Sequence, residues 1–358
     1  MTMLTSAGEA LATVDSSSGG DVSRDVSLGG SPQGSLIDIS IIIVNWRSRE
    51  FVRACLQSIA QTSGHNSYEV LVVDNDSGDG CGAMLEEQFP QARYIQSATN
   101  LGFARANNLA ATKSRGRYIL FLNPDTEVSA GAIETLAAAL DAHPEAGMVG
   151  ARLLNTDRTL QTTCVTAVPN ILNQTLNLEW LRSTFPMWGI WGMRALYRAG
   201  KTPSVVEAIS GACMMVRREV VEQVKGFSTD YFMYAEDMDL CAKVAKAGHA
   251  ILYVPEAVIV HHGGASSSQR EESHFSSIAT REAIIRFFTL HRGRGYAWTW
   301  RAFMALVCTL RLAALALASP AALHPRGARF LRRGWSKWTS ILAWCAGWTA
   351  FRQQQVNQ

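Results

Sequence analysis

The chain predicts an α/β fold: a Rossmann-like, mostly parallel sheet flanked by helices, followed by a C-terminal amphipathic and apolar helical tail. Three observations carry that expectation. Near-continuous β-branched runs, of the kind buried on both faces of a parallel sheet, alternate with helical stretches at βαβ spacing. Polar residues gather directly after those runs. The charge is also divided: residues 1–282 hold 22 Lys/Arg and 30 Asp/Glu, whereas residues 283–358 hold 11 Lys/Arg and no acid.

Residues 1–36 are Ser- and Gly-rich, carry acids at Glu9, Asp15, Asp21 and Asp25, and contain no apolar run able to pack. They are expected to form a disordered tail and lack the basic start and apolar core of a signal peptide. A buried strand is expected at Ile39–Val44, then a helix at Glu50–Gln61 and a second strand at Glu69–Val73. The polar break 74–80 leads to a short helix at Ala83–Gln88, a strand at Arg93–Gln96 and a helix at Ala104–Ser114. Tyr118–Leu122 is the next strand, with a helix at Ala130–Ala142. Residues 151–208 are less regular and contain Trp180, Trp188 and Trp191; compact patterning returns over 209–262, with a strand at Ala257–Val260. The α/β domain is thus expected over 37–282, and a basic helical region holding six of the ten tryptophans over 283–358.

With 358 residues, 47% hydrophobic and 18% charged, the chain has room for one large or two ordinary domains and is not a wholly disordered or disulfide-dense chain. Its seven cysteines are scattered, odd in number and without a CxxC pair, which fits a reducing compartment and argues against structural zinc. There is no GxxxxGK[ST], no GxGxxG after the first strand and no GxSxG, so P-loop, dinucleotide and serine-hydrolase signatures are absent.

The polar residues at strand ends form four groups. Asp74-Asn75-Asp76, with Gly78 and Gly80 behind it, reads either as an Asx-rich turn or as a site accepting from a base imide or a ribose hydroxyl. Asn123-Pro124-Asp125 reads either as a turn with Asp capping a helix or as a carboxylate holding a divalent cation against a diphosphate. Glu236-Asp237, followed by Leu240, Val244 and Ala247, sits at the start of a helix, as a capping feature or as a general base. Tyr231, Phe232 and Tyr234 before it either wall a sugar site or fill the core. His261-His262-Gly263-Gly264 closes a strand and offers a histidine to metal or phosphate, or a structural one.

Taken in order, the segments Ile41-Ile-Ile-Val-Asn-Trp46, Val72-Val-Asp-Asn-Asp-Ser77, Asn100-Leu-Gly-Phe-Ala-Arg-Ala-Asn107, Phe121-Leu-Asn-Pro-Asp125, Ser210-Gly-Ala212, Gly226-Phe227 with Phe232–Asp237, and His261-His-Gly-Gly264 resemble the inverting family 2 glycosyltransferases of the GT-A fold, in their bacterial rhamnosyltransferase-like branch. The resemblance spans about 37–270. It implies that Val44, Asn45, Asp74, Asp76, Asn100, Gly102, Asn107, Asn123 and Gly211 line the nucleotide-sugar site. It implies Mg²⁺ or Mn²⁺ at Asp125, with His261 as a further ligand and His262 as the fallback. Asn123 stands where the family's metal motif carries its first acid. Asp237 matches the catalytic base, with Glu236 beside it.

The reading is transfer of a sugar, a deoxyhexose such as rhamnose, from a dTDP- or UDP-sugar to a hydroxyl of a glycan or polyprenyl-linked acceptor in cell-surface polysaccharide synthesis. A non-catalytic nucleotide-sugar-binding scaffold is the alternative from another class; Asp125, Asp237 and His261 are all present against it. Nucleic-acid binding by the basic tail lacks any accompanying motif. The tail is instead expected to hold the enzyme on the anionic cytoplasmic face of the membrane, with a soluble helical extension packed on the catalytic domain as the alternative. The stretch 302–323 has one charge, Arg311, and length enough to cross a bilayer. An arginine at mid-span costs about 2.5–3.5 kcal/mol on insertion scales, and Ser319-Pro320 lies near its end.

Overall fold

The computed structural model describes residues 37–62, 67–176, 179–198, 200–231, 233–263, 274–319 and 325–348. The expected tail 1–36, Phe232 and Gly264 lie outside them. In chain order the first half runs β1 (Ile39–Asn45), α1 (Arg49–Thr62), β2 (Tyr68–Asp74), α2 (Cys81–Gln88), β3 (Arg93–Gln96), α3 (Gly102–Lys113), β4 (Tyr118–Leu122), β5 (Thr126–Val128), α4 (Ala132–Ala142) and β6 (Ala146–Leu154). Then follow β7 (Val165–Thr166), α5 (Ile171–Thr175), α6 (Glu179–Thr184), β8 (Ser204–Val205), β9 (Ala208–Ile209), β10 (Cys213–Arg217), α7 (Arg218–Gln223), α8 (Glu236–Lys246) and β11 (Ala250–His261). Three long helices end the described chain: α9 (His274–Arg292), α10 (Arg294–Leu317) and α11 (Pro325–Cys345).

The main sheet has the order β3-β2-β1-β4-β10-β6-β11-β5, with β8 beside β11. Its first half is parallel: β1 pairs with both β2 and β4, and β2 with β3. β1 is buried at every position, which is why Ile39–Val44 reads as an unbroken apolar run with only Ser40 inside it. Its side chains alternate between two layers, Ile39, Ile41 and Ile43 into one and Ile42 and Val44 into the other.

The second half makes the sheet mixed. β10 runs antiparallel between β4 and β6. That reversal brings the loop before β10 to the carboxyl end of β4, where α/β sheets bind ligands, and Asn123 N–H donates to Ala212 C=O at 3.0 Å. β11 pairs parallel with β6 and antiparallel with β5, in a register that sets His261 opposite Thr126. β11 begins at Ala250, seven residues before the strand expected from sequence, and its pairing with β6 shifts between Val254 and Val258. Pro255 sits in that irregularity, where a missing N–H is tolerated. Residues 151–208 form short strands, short helices and 3-10 turns, with β7 and β9 making a separate two-stranded ribbon.

A third apolar cluster joins the C-terminal helices to the α/β layers. Phe287, Phe288, Trp300, Met304, Cys308, Ile341 and Trp344 pack with Tyr231 and Ala235 from the approach to α8. The boundary expected at 282/283 falls inside α9, which runs through it unbroken. Glu282 accepts the indole N–H of Trp344 at 2.6 Å, tying α9 to α11.

Candidate active site

The ends of β1 and β2 are held by a side-chain network. Asn45 is fully buried. Its Nδ2 donates to Asp74 Oδ2 (3.0 Å), Ser77 Oγ (3.1 Å) and Asp79 (3.2 Å), while its Oδ1 accepts from the Ser48 N–H and hydroxyl. The Asn45 amide is therefore engaged within the protein, and the surface it offers to a ligand is the turn it shapes. Asp74 Oδ1 accepts from Ser77 N–H at 2.8 Å, and Asp79 accepts from Arg49 N–H at the start of α1. Asp76 is exposed and takes a φ of 61° in the turn. Asp74, Asp79 and Cys81 bring ligand atoms within 4.8 Å of one another. Asn45 already donates to both carboxylates, and burial pushes the Cys81 thiol up to about 12, so the three side chains are tied into a hydrogen-bonded turn.

A second clip fixes the start of α3. Asn75 donates to Asn100 Oδ1 at 3.0 Å and accepts from Leu101 N–H at 2.8 Å, and Asn100 Oδ1 also accepts from Gly102 N–H. Gly102 has a φ of 74°, a left-handed conformation that favours glycine. Asn107 is buried inside α3 and donates to Phe103 C=O at 3.0 Å. Val44 contributes its side chain to the second apolar layer. Asn75 belongs to the first polar group named from the sequence but has no role of its own there, and Ser77 and Asp79 have none either, yet they build this wall.

At the ends of β4 and β11, Asp125 and His261 come together. Asp125 Oδ1 lies 3.3 Å from His261 Nε2, and Asn123 Nδ2 lies 3.4 Å from the same nitrogen. The other ring nitrogen, Nδ1, meets Gln161 Oε1 at 2.8 Å. Gln161 Nε2 donates to Asn155 Oδ1 and to His261 C=O, which leaves its oxygen facing the ring. Hydrogen on Nδ1 satisfies this contact and leaves the Nε2 lone pair beside the Asp125 carboxylate. One carboxylate oxygen and one imidazole nitrogen, side by side and oriented from behind, fit Mn²⁺ or Mg²⁺ with positions left for phosphate. His262 faces elsewhere, bonded to Glu127 at 2.9 Å and to Thr156 at 3.0 Å.

Asp237 sits in the first turn of α8, partly open to solvent. The two residues before α8, Tyr234 and Ala235, both have positive φ, 70° and 61°, a strained approach of the kind that re-aims a functional side chain. Asp237 Oδ2 accepts from Gly211 N–H at 3.0 Å and Oδ1 from Met238 N–H at 2.8 Å. Burial raises its carboxyl above the ordinary aspartate range, against the pull of those N–H donors. Glu236 is buried with Oε2 unpartnered, and burial together with the charge of Asp237 pushes it up to about 8. Two residues on, Asp239 accepts from Tyr231, Ser228 and, at 2.7 Å, His291 of α9.

The structure thus sets Asp74, Asn123, Asp125, Gly211, Asp237 and His261 at the carboxyl-end side of the parallel strands, with the Asn123–Ala212 backbone bond linking the Asp125–His261 pair to the loop that holds Asp237.

The family model "Glycosyl transferase family 2" matches residues 40–225. The chain is 29% identical over 256 residues to N-acetylglucosaminyl-diphospho-decaprenol L-rhamnosyltransferase of Mycobacterium tuberculosis, covering 66% of this chain and 81% of that protein. It is 26% identical over 235 residues to rhamnosyltransferase WbbL of Escherichia coli, covering 63% and 83%. Among solved structures, mannosyltransferase PcManGT from Pyrobaculum calidifontis, in complex with GDP-Man and Mn²⁺, matches with a TM-score of 0.49 at 18% identity, covering 88% of this chain and 89% of the other.

Proposed function

Since the chain belongs to glycosyl transferase family 2 and is a glycosyltransferase, we propose that it transfers a deoxyhexose, rhamnose in the first instance, from a dTDP- or UDP-sugar to a hydroxyl of a polyprenyl-linked glycan, with inversion at the anomeric carbon. Two relatives named as rhamnosyltransferases, one of them for a decaprenol-linked substrate, support the sugar and the acceptor class. The observation that carries the mechanism is the backbone bond from Asn123 to Ala212, which joins the Asp125–His261 pair to the loop holding Asp237.

In this reading Asp237 accepts the proton of the acceptor hydroxyl as its oxygen attacks the anomeric carbon and the bond to the diphosphate breaks. A raised carboxyl pKa suits a base, because proton affinity closer to the working pH increases the driving force for transfer. The Gly211 N–H fixes Oδ2 without neutralising it. Glu236, holding its proton at neutral pH, spares Asp237 a second adjacent negative charge. Asp125 and His261 would hold a divalent cation, which supplies charge neutralisation for the departing diphosphate when bound. The turn after β2, from Asp74 to Gly80, and the Asn100–Gly102 clip form the nucleotide side of the cleft, and Asn123 borders the diphosphate.

The same reading sets the enzyme on the cytoplasmic face of the membrane through α9–α11. α10 is 24 residues long with a mean hydropathy of 1.6 over its most apolar window, and 17% of that window is buried.

The test is Asp237→Asn. It should abolish transfer by at least about 10²-fold while leaving donor affinity nearly unchanged, as read by thermal shift with dTDP- and UDP-sugars in the presence of Mn²⁺. Turnover near wild type would remove Asp237 from the role.

A further inference from the structure

The last two helices meet at a close approach. A Cβ on Gly334 of α11 would lie 3.0 Å from Leu315 Cδ1 of α10, so only glycine allows that contact without displacement. Beside it opens a groove of about 490 Å³ whose apolar wall is Leu315, Phe330 and Trp338 and whose rim carries Arg329, Arg333 and Lys337. The three cations recur at i, i+4 and i+8 and therefore share one face of α11. Like charges at this spacing destabilise a helix by themselves, and residues 283–358 contain no Asp or Glu. The arrangement gains a purpose if an anion is placed among them.

The neighbouring surface states what carries that anion. Phe303, Leu306, Leu310 and Leu317 of α10 are all exposed, at spacings that place them on one stripe. Arg311, the one charge inside the apolar part of this helix, does not interrupt it: its guanidinium lies 4.1 Å from the Trp338 ring centroid, folded onto α11. An apolar stripe beside a cationic groove with an aromatic wall matches an amphiphile, a phosphate head followed by hydrocarbon.

We propose that the α10–α11 groove seats the phosphate of an anionic phospholipid in the bilayer, with the α10 stripe lying among the acyl chains. This rests on the membrane-face reading above and adds to it a defined seat. Arg329, Arg333 and Lys337 converge on the phosphate oxygens; Phe330 and Trp338 lie at the depth where headgroup and hydrocarbon meet.

The experiment is vesicle flotation of the full chain with pure phosphatidylcholine and with phosphatidylcholine mixed with phosphatidylglycerol. Three proteins are compared: wild type, the groove variant Arg329→Gln/Arg333→Gln/Lys337→Gln, and a charge-matched variant, Arg292→Gln/Arg294→Gln/Arg332→Gln, whose changes lie outside the groove lining. Each basic residue near an anionic surface contributes about fivefold in binding through the diffuse potential, so the charge-matched variant should lose no more than the order of 10²-fold on phosphatidylglycerol vesicles. The groove variant should lose at least about tenfold more than that, since its cations also make charge-assisted hydrogen bonds to a phosphate. Far-UV circular dichroism and thermal midpoints establish that both variants fold. Equal losses in the two variants would reduce the groove to general charge and overturn the seat, as would a groove variant that binds like wild type. If wild type ignores both vesicle types, the membrane-face reading itself fails and takes the seat with it.

Discussion

Gly211→Ala is a small change aimed at the position of the base. The backbone of Gly211 lies outside the left-handed region, so alanine is conformationally allowed there. Its Cβ would lie 3.2 Å from Asp237 Cβ and 3.5 Å from Oδ2. Carbon pairs rest at about 3.5–4.0 Å, so Asp237 must retreat by about 0.3 Å, stretching its bond to the residue 211 N–H. A misplacement of 1 Å at a reacting group costs about 10²-fold; scaled to the displacement here, kcat should fall about fourfold. The Michaelis constant for the donor reads any contact between residue 211 and the nucleotide sugar, whereas kcat reads the displaced base. The assay is initial-rate transfer with each substrate varied in turn, beside a thermal melt to show that the fold persists. The effect should also be nearly lost in an Asp237→Asn background, where no base remains to be displaced. Wild-type kcat in Gly211→Ala, or an equal effect in both backgrounds, would refute the assignment of Asp237 as a base whose position sets the rate.

Asp125→Ala should abolish measurable Mn²⁺ binding in titration calorimetry, and His261→Ala should weaken it more mildly; metal affinity unchanged in both would give these residues purely structural roles. Gln161→Leu should weaken Mn²⁺ binding by about 10–100-fold through loss of the acceptor at His261 Nδ1, and an unaltered affinity would show that the ring needs no such support. Glu236 has its carboxyl raised from 4.5 to about 8, so the folded state binds the extra proton between those pH values. Stability is therefore highest near or below pH 4.5 for this group and declines as pH rises towards 8; Glu236→Gln should flatten that decline in pH-dependent melts, and an unchanged slope would count against a buried protonated Glu236. The raised carboxyl of Asp237 likewise predicts that the acid limb of the rate profile lies above pH 3.8, with activity lost as pH falls through it.

The parallel half of the sheet was legible because strands buried on both faces leave near-continuous apolar runs: Tyr118–Leu122 matches β4 residue for residue, and Ile39–Val44 lacks only the terminal Asn45. The beginning of β11 was not, since Pro255 and the irregular pairing around it break the strand pattern that resumes at Ala257. The pairing of Asp125 with His261 follows from the β5–β11 register across 136 residues of chain, and was reached through the resemblance rather than through spacing. Gln161 left no trace in the sequence, because nothing local marks a glutamine in a turn as the support of a histidine 100 residues away. Asn45 illustrates the opposite error of emphasis: a polar residue at a strand end suggests a ligand contact, whereas its amide is fully engaged with Asp74, Ser77, Asp79 and Ser48.

The contact between Asp239 and His291 bears on the order in which the protein matures. Asp239 is 1% exposed, and its closest nitrogen donor is supplied from the end of α9, 52 residues downstream. Tyr231 and Ala235, which lead into the turn carrying Asp237, pack against Phe287, Phe288 and Trp300 in the same way. While the chain is still emerging from the ribosome, Asp239 therefore has Tyr231 and Ser228 but not His291, and Tyr231 and Ala235 lack their apolar backing, until the C-terminal helices have been made. In the proposed reading, the segment that reaches the bilayer is also the one that backs the approach to the helix of the base, so the turn before Asp237 gains its full packing only once that segment has been made.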